Sequence, residues 1–153
     1  MKLRALCLVV LVPAWLSVAS TQAATVDPSD MERLLDAIAR IESHCDPHAV
    51  GDGGRALGVY QIHRAYWEDG TEFLGVNWPH RDAADPQKAR RVVKAYLLRY
   101  GQGKSLLDMA RIHNGGPHGH EKEATLRYAR KILGDESLPA RLLAPASSLR
   151  FTR

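Results

Sequence analysis

Four consecutive residues, Gly51-Asp52-Gly53-Gly54, constrain this chain more than any other stretch: three glycines in four positions suit turn conformations and stop both helix and long strand. The chain must change direction there. The following Leu57–Ile62 has too few alternating residues for more than a short strand or hairpin arm, and no other stretch reads as β. Helical signals stand on either side. Ser29-Asp30-Met31-Glu32 has the pattern of a capping box, with Leu34, Leu35, Ile38 and Ile41 following at helical spacing and Asp46-Pro47 as the stop. Asp85-Pro86 opens a second helix whose stripe is Ala89, Val92, Val93, Tyr96, Leu97 and Tyr100, closed by Gly101. A third is expected from about Ser105 to Ile112, broken by Asn114-Gly115-Gly116-Pro117. A last one runs from about Glu121 to Leu133 with Ala124, Tyr128 and Ile132 on one face. The expected architecture is mainly α with a small hairpin or loop insert.

Residues 1–24 read as an export signal, with Lys2 and Arg4 before the apolar Ala5–Leu16 and a small-residue cleavage region ending near Ala23 and Ala24. The apolar run is shorter than the roughly 20 residues a spanning helix needs. A secreted or periplasmic product without stable membrane insertion is therefore expected. Residues 25–134 then form one domain, and residues 135–153, rich in Pro, Ala, Ser and Arg, form a basic tail with no sustained apolar stripe. Removing Lys2 and Arg4 takes the formal charge from +4 to +2 with many acids still present, a mixed surface unlike that of a nucleic-acid-binding protein. Of Cys7 and Cys45, only Cys45 survives cleavage, so no internal disulfide can form.

Glu42 extends the first apolar stripe, because Leu34, Leu35 and Ile38 lie eight, seven and four residues before it. An acid is thus aimed inward. In an apolar setting its ionised form is disfavoured, so its pKa is expected to rise, which suits a proton donor to a leaving oxygen. Position alone equally allows Glu42 to turn into solvent or to pair with Arg40 or His44.

The text around it is more specific. Glu42-Ser43, Asp46-Pro47, Ala49-Val50 and Gly58-Val59-Tyr60-Gln61-Ile62 resemble the opening of soluble lytic transglycosylase domains. Tyr60-Gln61-Ile62 through Tyr66-Trp67, with Ala110-Arg111-Ile112-His113-Asn114-Gly115-Gly116-Pro117, resemble the invertebrate-type, destabilase-like lysozymes. Both belong to the lysozyme-like superfamily, and the matches span about residues 34–133. The resemblance implies an α+β lysozyme-like fold and cleavage of peptidoglycan glycan strands, with Glu42 as general acid and no cofactor. It places a second catalytic carboxylate at Asp52, with Asp46 as competitor, and lines the sugar groove with Tyr60, Gln61, His113 and Asn114. Asp52 is equally a normal turn former. Hydrolysis, transglycosylation by Glu42 alone, and silent wall binding all remain open at this point.

The chain departs from the invertebrate type in its cysteines, His120 standing where that family has one, and in carrying Arg55 but no serine between Asp52 and Gln61. The isopeptidase activity credited to some members is not carried over. His113, His118 and His120 cluster in sequence, but no carboxylate or cysteine set completes a metal site around them.

Overall fold

The computed structural model describes residues 26–134, so the signal and tail readings lie outside the described residues. Helix α1 covers Pro28–Ser43, strands β1 and β2 cover Val50–Gly51 and Ala56–Leu57, and α2 covers Arg64–Leu74. A 3-10 turn at His80–Ala84 leads to α3, Pro86–Tyr100, then to α4, Leu106–Gly115, and α5, Leu126–Leu133. Mainly helical with one two-stranded antiparallel insert, the fold has the element composition expected.

The core forms where the helical stripes meet. Leu34, Leu35 and Ile38 of α1, Val92, Val93 and Leu97 of α3, Ala110 and Ile112 of α4 and Ile132 of α5 are fully buried. Burying a side chain of this size contributes about 1.5–3 kcal/mol, and it is this packing, with no internal disulfide among the described residues, that holds the domain together. Helix α2 lies along α3, α4 on α5, and α5 on α1.

Several local expectations are corrected. Helix α1 is capped by Asp27, whose Oδ1 accepts from the Ser29 amide at 2.7 Å with Pro28 at the first position; the Ser29–Glu32 capping box does not form. Proline pre-sets the first helical φ, and the aspartate before it supplies the acceptor. Glu32 instead pairs with Arg90 and Lys94 of α3. The helix ends at Ser43, before Asp46-Pro47, because His44 and Cys45 both take left-handed conformations and their amides donate to Arg40 and Ala39 carbonyls. Helix α4 runs on through Asn114 to Gly115. The segment expected to start the last helix at Glu121 forms two 3-10 turns, and Ala124 is exposed; Thr125, Ala129, Ile132 and Leu133 carry the buried face.

Helix α2 has no forerunner in the sequence reading. Its buried residues are Trp67, Gly70 and Thr71, a single large apolar side chain with two small neighbours, which makes no apolar stripe. Gly70 is there because α2 presses on α3: a Cβ would meet Val92 Cγ1 at 2.7 Å.

Candidate active site

The insert is anchored to α1 through Ser43, whose hydroxyl donates to the Val59 carbonyl at 2.9 Å and accepts from the Asp46 amide at 3.1 Å. The hairpin pairs Val50 with Leu57 and Gly51 with Ala56, and a single bridge joins Leu57 to Ile62, so residues 57–62 curl back instead of extending. Gly58 permits the curl: its φ is +72°, and a Cβ would run into the Ala83 carbonyl. Gln61, also left-handed, donates its amide to the carbonyls of Ala49 and Gly58 at 3.2 and 3.0 Å. Gly51 leaves room for that side chain, since a Cβ there would strike the Gln61 amide oxygen.

These elements enclose an open groove of about 620 Å³ between the hairpin, α2 and the end of α4. Of the residues expected at the site, Glu42, Asp52, Gln61, His113 and Asn114 line it. Tyr60 does not. Its ring is buried in the core, 2% exposed, and its hydroxyl accepts from Arg90 at 3.2 Å, because the curl of residues 57–62 sends it inward. Tyr66 of α2 supplies an aromatic face in the groove instead, stacked on Tyr96 at 3.6 Å between centroids.

Glu42 stands one residue from the end of α1 with its side chain 21% exposed. Tyr128 of α5 donates its hydroxyl to Glu42 Oε1 at 2.6 Å, and His113 Nε2 of α4 lies 3.6 Å from the same oxygen. Burial pushes the carboxyl up, as the sequence suggested, but His113, the Tyr128 hydroxyl and Lys131 together outweigh it. The net shift is downward, which corrects the expected rise: the apolar stripe ends before the carboxyl, whose neighbours are donors and cations. Burial and the adjacent carboxylate hold the Tyr128 hydroxyl far above its ordinary range.

Asp52, in the turn at φ +48°, is 59% exposed and bonds His63 Nε2 through Oδ2 at 2.7 Å. His63 and Tyr128 escaped the sequence reading. Tyr128 was legible only as part of a helical stripe, and nothing in local spacing joins it to Glu42, 86 residues away.

A family model described as Destabilase matches residues 31–134, from the first turn of α1 to just past the end of α5. This chain belongs to the Destabilase family. It is a lysozyme-like glycoside hydrolase, as the short motifs implied. The lysozyme of Magallana gigas is 36% identical over 108 residues, covering 64% of this chain and 74% of that one. Invertebrate-type lysozyme 6 of Caenorhabditis elegans is 35% identical over 116 residues, covering 65% and 83%. Among solved structures, Tapes japonica lysozyme superposes with a TM-score of 0.58 at 29% identity, covering 71% of this chain and 94% of that one. A chain of the complex between Aeromonas hydrophila PliI and Meretrix lusoria lysozyme gives a TM-score of 0.59 at 30% identity with the same coverage.

The histidines that follow one another in sequence part company in this member of the Destabilase family. His113 faces Glu42, whereas His118 and His120 approach Glu121. Among the described residues no group of three or more His, Cys, Asp or Glu is arranged to hold a metal ion.

Proposed function

We propose that this chain is exported and hydrolyses the glycan strands of peptidoglycan, with Glu42 as general acid and Asp52 as the second carboxylate. The observation that carries the reading is that Glu42, from the end of a core helix, and Asp52, from a glycine-rich turn, line one groove in two different environments. Glu42 is mostly enclosed and Asp52 mostly in water. Two carboxyl groups so placed can divide the labour of glycoside cleavage. Glu42 delivers a proton to the glycosidic oxygen. Asp52, ionised, attacks the sugar carbon, stabilises its positive charge or activates water.

Asn114 offers an amide edge, Gln61 its amide oxygen and Tyr66 a ring face to a sugar, while His113 works from behind Glu42. Export rests on the composition of residues 1–24. No helix among the described residues is long and apolar enough to cross a membrane. The proposed domain limits are residues 25–134, followed by the basic tail.

One observation favours the transglycosylase alternative. At φ +48°, Asp52 has the backbone of a turn residue, and Arg55 Nε holds its carbonyl at 2.9 Å. Digestion of purified peptidoglycan by the parent, Glu42→Gln and Asp52→Asn, read by mass spectrometry, separates the two. Hydrolysis yields reducing ends, with both variants nearly inactive. Anhydro sugars from an active Asp52→Asn protein would instead establish a transglycosylase. A Glu42→Gln protein within about tenfold of the parent rate would remove Glu42 as the acid.

A further inference from the structure

We infer that His113 is a positioning residue that stores the proton Glu42 delivers, so that the working acid is a Glu42–His113 pair sharing one proton. This rests on the reading of Glu42 as the acid. A general acid must be recharged in every cycle, and a sugar filling the groove shields Glu42 from bulk water. Among the described residues, three groups act on the carboxyl. Tyr128 donates a hydrogen bond to it but holds its own proton too tightly to release it, and Lys131 acts only through its charge. Imidazole is the side-chain type that gains and loses a proton at physiological pH, and His113 is the imidazole among them.

The geometry suits storage. The His113 side chain is 5% exposed, its Nε2 faces Glu42 Oε1 at 3.6 Å, and its Nδ1 is bonded to the Tyr66 hydroxyl at 3.1 Å. Its ring stacks near Tyr128 and meets Tyr66 edge-on. The titratable groups against it are thus Glu42 from α1, Tyr66 from α2 and Tyr128 from α5; Tyr96 of α3 lies behind Tyr66, and Asp52 and His63 line the groove beyond. At 3.6 Å the pair is an ion-pair contact wider than a formed hydrogen bond, and the approach of a few tenths of an ångström comes with substrate.

In the transfer the Nε2–H bond of the imidazolium breaks and an O–H bond forms on the Glu42 carboxyl. His113 is left neutral with its remaining hydrogen on Nδ1, held by Tyr66. No charge enters or leaves the pair. A substrate that displaces water disfavours the separated charges and so drives the pair toward its neutral form, with the acid loaded. The alkaline limb of activity then belongs to the pair and not to the carboxyl alone.

The test is the pH–rate profile of the full chain on suspended peptidoglycan. In His113→Gln the alkaline limb should move to lower pH by about one unit or more, with kcat falling further than KM rises. A limb that stays in place or moves upward overturns the inference. Independently, the His113 imidazole should titrate in the parent about one unit or more above its position in Glu42→Gln, as followed by NMR. Equal titration overturns it. If Glu42→Gln is dead while His113 titrates alike in both proteins, the pair fails and the acid reading stands; if Glu42→Gln is active, the acid reading itself fails.

Discussion

Replacing Tyr128 with phenylalanine removes one hydroxyl and leaves a ring of the same shape against His113, so the hydrogen bond to Glu42 can be tested nearly alone. A hydrogen bond to a charged group contributes about 1.5–3 kcal/mol, and one pKa unit corresponds to about 1.36 kcal/mol. Complete loss would thus raise the Glu42 pKa by about one to two units. The carboxyl is one-fifth exposed, so water recovers part of the bond and the expected rise is about one unit. The sign for stability follows from the depressed folded-state pKa. Glu42 stabilises the fold at pH values above its ordinary pKa of 4.5, and that contribution fades as pH falls through the lower folded value. Tyr128→Phe should therefore be less stable than the parent at neutral pH by about 1.4 kcal/mol, and the two should converge in acid. Carbon-13 NMR of the Glu42 carboxyl and urea unfolding at several pH values measure both effects. A carboxyl titrating at or below the parental position, or a stability gap unchanged across pH, refutes the reasoning.

Gly58→Ala should cost about 2 kcal/mol or more in thermal or urea unfolding, since it combines a left-handed φ with a Cβ driven into the Ala83 carbonyl. A neutral result would mean that residues 57–62 do not curl as described. Cys45→Ser should change stability by less than about 0.5 kcal/mol under reducing or oxidising conditions, because Cys45 is exposed and is the lone cysteine among the described residues. A loss confined to oxidising conditions would reveal an intermolecular disulfide.

Much of the fold follows from short-range rules. The stripes of α1 and α3, the Asp85-Pro86 start and the glycine-rich turn are visible because each depends on residues within two or three turns of one another. The same rules locate Glu42 on the inward side of α1. They miss α2, where close helix packing selects Gly70 and Thr71 in place of large apolar residues, and they misplace the first cap by two residues.

What surrounds Glu42 was decided by the tertiary structure. Periodicity tells which side of a helix is buried but not which side chain from another helix will meet it there. The sequence predicts an apolar pocket and a raised pKa; packing of α5 and α4 against α1 instead delivers a phenol and an imidazole to one carboxylate oxygen. Tyr60 departs from its expected position for a similar reason. Tyr60 stands in a motif that implies a groove residue, yet the curl allowed by Gly58 turns it into the core, while the packing of α2 on α3 brings Tyr66 to the groove. The sequence by itself determined that an acid would sit at the inner end of the first helix, beside a tight turn bearing a second acid. Only the approach of distant helices, set by how their side chains fill space, determined the donors that govern the acid's proton.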